Sequence, residues 1–392
     1  MLNSGTKQHS TGYSQDILLS RVKYLYVRWV MVKKFHGIDL HKRYATIIVR
    51  DQEGSEIKYI SKCTNFQEYV ETLGEYDSVV VESINNAFYW ADQIEKQGAK
   101  CHIVNAHKFK IIKDSWNKTD KRDAANLSLA LWMAEMRKEF KMPTVYKPSI
   151  EVRELRKLFS QYQMITEQIA QYKNSIQAIF VENGIALSKE QKYELYKPEG
   201  ARAILENLAV TEASRHCIEM SHAMIRNLTE QKETMKKLII EMGTSFEREI
   251  RLLITIKGVT PLLALAFLAD VGDIKRFKNA RGFNAYLGVV PTVKSSGGKT
   301  YLGHINRQSR KLARSLFTQP INHMIDSSET MTEFYNGIKL RRGVGRSRIA
   351  VIRKIFNIMR RMLLNGEEYR GKNEENFQKK LHDFEKIIHQ AA

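Results

Sequence analysis

The chain has 392 residues, 43% of them hydrophobic and 27% charged, with only six prolines; this is a globular balance and excludes a long disordered or low-complexity protein. Lys and Arg (63) outnumber Asp and Glu (43), for a formal charge of +20, and a surface of that sign attracts polyanions, nucleic acid first among them. The three cysteines, Cys63, Cys101 and Cys217, form no CxxC pair, which excludes a disulfide framework or a cysteine zinc site and fits a reducing cytoplasm.

The length predicts two or three domains. Residues 15–33 are apolar but interrupted by Arg21, Lys23 and Arg28, so they suit neither a membrane span nor a signal peptide, and no membrane partner is expected. Met31 directly precedes the first strand pattern. It is the expected start of translation, with residues 1–30 an N-terminal extension.

From 31 to 140 the patterns alternate. KFHGIDL and YATIIVR read as strands, DQEG as a turn, and SEIKYISK as a third strand closing a hairpin. NFQEYVETL has helical spacing, DSVVVES is a buried strand, NAFYWADQIEKQG is a helix closed by Gly98, and CHIVN is a fifth strand followed by helix. The order β-β-β-α-β-α-β-α is that of a ribonuclease H-like fold.

Four carboxylates stand at marked places in this frame. Asp39 lies on the first strand and Glu82 ends the fourth, while Asp120 and Asp123 open the last helix; the spacings are 43, 38 and 3 residues. An i,i+3 pair shares one helix face, and a helix start favours negative charge. Taken singly, each has a plain structural role available: Asp39 as a turn residue, Asp120 as a helix cap. Together they would be buried side by side at a cost of several kcal/mol per charge unless cations hold them. Mg²⁺ suits such a site, because it takes hard oxygen ligands and keeps positions for water or phosphate. The pattern points to metal-assisted phosphoryl transfer on nucleic acid. His41, two residues after Asp39, reads mainly as a surface or turn residue. Phe88, Tyr89 and Trp90, on the helix after Glu82, read as core.

A proline-bearing linker, KMPTVYKPS, opens a segment from 141 to 248. Residues 150–183 and 201–242 carry apolar positions at helical spacing, which predicts two long antiparallel helices forming a coiled-coil arm or part of a bundle. The segment 249–372 begins with LLITIKGVTPLLALAFLADVGDIKRF, a helix-hairpin-helix-like pattern whose turn would offer N–H groups to a DNA phosphate. A Ser/Gly-rich loop, Lys294-Ser295-Ser296-Gly297-Gly298-Lys299, follows. Lys294, Lys299, His304, Arg307 and Arg310 around it are suitable phosphate partners. Such loops are usually flexible connectors, yet a serine hydroxyl there could attack a phosphodiester. From Lys339 to Lys372 eleven Lys/Arg face two acidic residues, with Ile349, Ile352, Phe356, Met359 and Leu363 forming the apolar face of a basic helix. Residues 373–392 read as a peripheral tail.

From Met31 onward the chain resembles the DEDD transposases, RNA-guided recombinases of the insertion sequence 110 and 1111 class. GIDLHK, VVVES, KTDKRDA, IKGVTPLLALAFLADVGD and above all RFKNARGFNAYLGVVPTVKSSGGKTYLGHI carry the resemblance. It implies an N-terminal RuvC-like domain binding Mg²⁺, with Mn²⁺ as an alternative, through Asp39, Glu82, Asp120 and Asp123. It also implies a C-terminal, mainly helical transposase domain with a serine nucleophile. Counting five residues from Pro291 places that nucleophile at Ser296, with Ser295 one residue out of register. Lys294, Lys299, Arg307 and Arg310 would contact nucleic acid. The expected partners are DNA (element ends and target), a noncoding guide RNA, and further copies of the chain in a homodimer or homotetramer, in a prokaryotic cytoplasm at the nucleoid. A metal-dependent nuclease of the Holliday-junction-resolvase type, with water as nucleophile, is the alternative.

Overall fold

A computed structural model describes residues 33–105, 109, 119–137, 141–196, 210–296, 298–306 and 309–391. The 1–30 extension with its expected start at Met31 lies outside the described residues, as does Arg307. The chain divides into two compact units, Met1–Lys147 and Pro148–Ala392.

In the first unit β1 (Lys34–Leu40), β2 (Ala45–Arg50) and β3 (Glu56–Cys63) form an antiparallel meander. After α1 (Phe66–Glu71), strand β4 (Asp77–Glu82) pairs parallel to β1; after α2 (Ala87–Lys96), β5 (Lys100–Val104) pairs parallel to β4; α3 (Asp120–Met136) closes the unit. The strand order is β3-β2-β1-β4-β5, which puts β1 at the centre.

Strand alternation sorts the side chains onto two faces. Ile38, Leu40, Val79 and Val81 join one core with residues of α1 and α2, including Val70, Ala91 and Ile94. Phe35 and Val80 join a second core with Leu127, Ala130 and Leu131 of α3. By the same period of two, Asp39 and Glu82 belong to the α3 face. Gly37 lies between Phe35 and Asp39 on that face, and α3 crosses it closely: a Cβ at Gly37 would sit 2.2 Å from both the Ala124 carbonyl oxygen and the Ser128 nitrogen. Only glycine permits that approach.

Polar contacts hold the middle and C-terminal end of α3. Arg50 Nε donates to Ser128 Oγ at 3.1 Å, and Trp132 Nε1 donates to the Gln52 carbonyl at 2.9 Å. Glu135 gathers Lys33, Lys100 (3.2 Å), His102 (3.1 Å) and the Ser78 hydroxyl (3.2 Å). Burial raises the Glu135 pKa, but hydrogen bonds from His102, Lys33 and Lys100 outweigh it and hold the carboxyl well below the usual carboxylate range. The start of the linker runs along the sheet: Val145 N–H donates to the Ile103 carbonyl at 2.7 Å, and Met142 is buried.

The second unit opens with α4 (Ile150–Glu182), N-capped by Ser149, and α5 (Glu212–Met242), N-capped by Thr211. Late α4 (Ile176, Phe180) packs on early α5 (Ile218, Ile225), and early α4 (Leu155, Phe159) shares a core with late α5 (Ile239, Ile240), so the pair is antiparallel. Next come α6 (Glu247–Leu253) and α7 (Pro261–Val271), the latter buried along nearly its whole length. The connection between them carries Gly258 at φ 83°, as the hairpin pattern predicts. Its N–H groups at Ile254, Thr255, Ile256 and Val259 bond within the turn and α6. Its carbonyls at Ile254, Ile256 (2.8 Å) and Val259 (3.2 Å) accept from Lys380 Nζ.

The Ser/Gly-rich segment forms a hairpin rather than a loose loop: β6 (Pro291–Ser296) pairs antiparallel with β7 (Lys299–Ile305). Thr292, Val293, Thr300 and Tyr301 favour strand, and Gly298, at φ 73°, stands where the chain turns between them. Helices α8 (Leu312–Thr318), α9 (Glu329–Arg342) and α10 (Val344–Asn365) follow. The basic helix packs as its pattern predicts, with Ile352, Phe356 and Met359 in the core. The tail is not peripheral: α11 (Glu374–Ala391) buries Phe384 fully in that core and supplies Lys380.

Two outcomes follow from these packings. Gly37→Ala forces α3 off β1 and lowers stability by about 1–3 kcal/mol, the usual cost of overpacking, measurable by urea denaturation. Because the folded pKa of Glu135 lies below its unfolded value, its contribution is present above about pH 4.3 and is lost as pH falls through the folded value. Glu135→Gln removes that contribution, so the difference in melting temperature from wild type is large at pH 7 and shrinks on acidification.

Candidate functional site

At the carboxyl end of β1 the chain turns at once. His41 N–H donates to the Tyr44 carbonyl at 2.9 Å, which brings residues 39–44 over the start of α3. There Thr119 is the N-cap, its hydroxyl accepting from Arg122 N–H, and Asp120 is the first helical residue rather than the cap. Asp120 and Asp123 thus lie in the first turn, beside the positive end of the helix.

Asp39, His41 and Asp120 converge, each offering a ligand atom within 4.8 Å of the others. His41 Nε2 lies 3.1 Å from Asp39 Oδ2 and 3.2 Å from Asp120 Oδ2, and the Tyr44 hydroxyl donates to Asp120 Oδ2 at 3.0 Å. Burial lifts the Asp39 pKa above the ordinary range; His41 opposes the rise, and the charges of Asp123 and Asp120 add to it. Asp123 is buried and close enough to act on Asp39 electrostatically. Glu82 follows Val81, the register partner of Ile38, so it neighbours Asp39 on the adjacent strand, yet it contributes no atom to the converging triad.

The donor set fits a divalent cation. Two carboxylates meet at one point, and the buried His41 Nε2 lacks a hydrogen bond of good geometry. An imidazole nitrogen at this point can ligate a cation beside the two carboxylates. Oxygen donors favour Mg²⁺, and an imidazole nitrogen also suits Mn²⁺. His41, which reads from sequence mainly as a surface or turn residue, takes part in the turn after β1 and also enters the cluster. The available signal was the D-x-H spacing, since residues i and i+2 at a strand end share a face.

The basic candidates lie in the second unit. Ser295 pairs with Thr300 and Ser296 with Lys299, at the tip of the β6–β7 hairpin, while Lys294 pairs with Tyr301. Ser295 is exposed. Arg310 is anchored through its backbone, its N–H donating to the Tyr286 carbonyl at 2.8 Å. It also stands among charges: buried Asp270, which accepts from Ala313 N–H at 2.8 Å, has Arg310, Arg156 and Arg314 about it. Burial raises the Asp270 carboxyl against their pull. Part of the Arg310 charge therefore serves that internal cluster.

Residues 36–183 match the DEDD family model of IS110 elements, described as a transposase, and residues 250–336 match the transposase IS116/IS110/IS902 family. The transposase for insertion sequence element IS1111A of Coxiella burnetii is 24% identical over 346 residues, covering 86% of this chain and 91% of that protein. A probable family 20 transposase of Pseudomonas aeruginosa is 22% identical over 349 residues, covering 86% of this chain and 96% of that protein.

Titrating Mg²⁺ or Mn²⁺ into the protein should raise its melting temperature, by roughly 2–4 °C for each kcal/mol of binding. EDTA reverses the shift, Asp39→Asn abolishes it, and His41→Ala reduces it. Equal shifts in all three proteins would dismiss the cluster as the metal site.

Proposed function

Because the chain belongs to the IS110-class transposases and is a DNA transposase, we propose that it cuts and rejoins DNA at the ends of its element as a serine recombinase dependent on Mg²⁺. The observation that carries this reading is the convergence of Asp39, His41 and Asp120 at the central strand end. The family implies divalent-metal dependence. The strand order, with β1 central and antiparallel to β2 but parallel to β4, supports a ribonuclease H-like, RuvC-like first unit. The antiparallel α4–α5 pair supports a coiled-coil arm.

Asp39, Glu82, Asp120 and Asp123 would hold the cation, with His41 beside them. A cation bound there supplies Lewis-acid polarisation of a phosphodiester and stabilises the leaving oxygen. Ser296 at the hairpin tip supplies the nucleophile: its Oγ forms a bond to phosphorus as the bond to the leaving deoxyribose oxygen breaks. The hydroxyl proton passes to a base, and the departing oxygen gains one. The resulting serine phosphodiester keeps the bond energy for rejoining. Lys294, Lys299, Arg307 and Arg310 would stabilise charge on the phosphate. The family resemblance adds a noncoding guide RNA and assembly into dimers or tetramers at the nucleoid.

A second reading has one observation in its favour: the acidic cluster is assembled wholly within the first unit. That arrangement would serve a metal-dependent nuclease using water.

Co-expression with the noncoding DNA flanking the gene separates the two. The recombinase reading expects SDS-resistant protein–DNA adducts in wild type and in Ser295→Ala, absent from Ser296→Ala and Asp39→Ala. Metal-dependent cutting that leaves free ends and ignores Ser296→Ala would establish the nuclease.

A further inference from the structure

Beside the root of the serine hairpin lies a groove of about 650 Å³ between β6–β7, the end of α9 and the first turns of α10. Val289, Ile305 and Ile349 provide apolar floor, and Arg342, Arg346 and Arg353 line the rim. His304 adds a fourth basic side chain, and no Asp or Glu is among the lining residues. Arg342 and Arg346 are exposed and Arg353 is half-buried. A second groove of about 410 Å³ shares Ala350 and Arg353 with the first and continues past Lys354, Asn357 and Arg361.

Three features specify the occupant. Cations along one edge with no acidic counterpart call for a polyanion. Guanidinium groups bind phosphate bidentately and also stack on planar rings. An apolar recess, however, does nothing for an intact duplex, whose backbone presents only phosphate and sugar to a surface. It suits a base removed from its stack, which offers an apolar face to the floor while its phosphates stay at the rim.

We infer that this groove holds an unpaired nucleotide of the DNA strand being cut, with its base on the Val289–Ile305–Ile349 floor and its phosphates on Arg342, Arg346 and Arg353. The inference rests on the proposed function, because it takes the hairpin to work on DNA. Strand β6 begins at Pro291, which lines the groove, and ends at Ser296. At about 3.3 Å per residue, these two residues are roughly 16 Å apart. The held nucleotide therefore lies within a few positions of the scissile phosphate, where unpairing would set which bond meets the hairpin tip. In this role the three arginines are binding and positioning residues rather than catalytic ones.

The test uses the full chain and 15-nucleotide probes carrying one 4-thiothymidine, single-stranded or in duplex, with a 4-thiouridine RNA of the same sequence. After irradiation, crosslinked peptides are mapped and affinities are measured by anisotropy. The expected result is a crosslink from single-stranded DNA to residues within 289–305 or 338–353. Affinity for that probe should fall at least five-fold in Arg346→Glu and in the groove-filling Ala350→Trp. Lys339→Glu, which makes the same charge change at an exposed position outside the groove, should leave both readouts near wild type. Because Arg346 is exposed, its variant keeps the test valid if Ala350→Trp fails to fold. Crosslinks confined to other segments, or equal losses in Arg346→Glu and Lys339→Glu, would overturn the groove while leaving the recombinase reading intact. Preferential crosslinking of the RNA probe at the groove would overturn the assignment to DNA. Failure of wild type to bind any probe would instead remove the proposed function, and this inference with it.

Discussion

The candidate acidic site depends on how closely one helix can approach one strand. Helix α3 crosses β1 at Gly37, where any side chain would meet the Ala124 carbonyl and the Ser128 amide. That contact lies two residues before Asp39 and within the first three turns of the helix that begins at Asp120. Moving the helix outward by the thickness of a methyl group would part the carboxylates by a similar amount. Packed interiors transmit such a shift instead of absorbing it. The Arg50–Ser128, Trp132–Gln52 and Glu135 contacts then fix the second half of the helix, so the approach is set by backbone packing and held by polar ties.

The electrostatics of the chain are divided in the same orderly way. A protein of net charge +20 nonetheless brings Asp39, Asp120 and Asp123 together in its first unit, where burial and mutual repulsion lift the Asp39 pKa. His41 Nε2 sits between Asp39 and Asp120, within 3.2 Å of an oxygen of each. In the second unit the arginines of α9 and α10 line a recess with no Asp or Glu among its lining residues, whereas Arg156, Arg310 and Arg314 surround buried Asp270. Basic residues of one composition thus divide into those satisfied inside the fold and those left facing solvent.

The second unit is knit together by its last helix. Phe384 closes the core, and Lys380 places its ammonium against three carbonyls of the α6–α7 connection. Burial lowers that ammonium to about 8, while the carbonyl acceptors favour its protonated form. The connection therefore turns its acceptors inward to a lysine of the same chain, and several of its N–H groups are already bonded within the turn. A hairpin of this kind serves the core before it can serve a phosphate.

Much of this could be read from local pattern. The alternating strands, the helix beginning at Asp120, the long α4 and α5 periodicities and the positions of Asp39, Glu82, Asp120 and Asp123 follow from side-chain period, which acts over a few residues, whereas the cap fell to Thr119 instead of Asp120. The serine segment reads as a loop because Ser and Gly dominate its composition, while flanking Thr, Val and Tyr, paired across the turn at Gly298, make it a hairpin. The entry of His41 into the acidic cluster, the use of Gly37 as a crossing point, the burial of the tail through Phe384 and Lys380, and the arginine groove all join residues distant in the chain. Composition and periodicity determined which segments are strands and helices and that the chain is built for a polyanion. Only the tertiary structure decided which charges meet, because close approach and burial are fixed by packing between elements and carry no signature within any one of them.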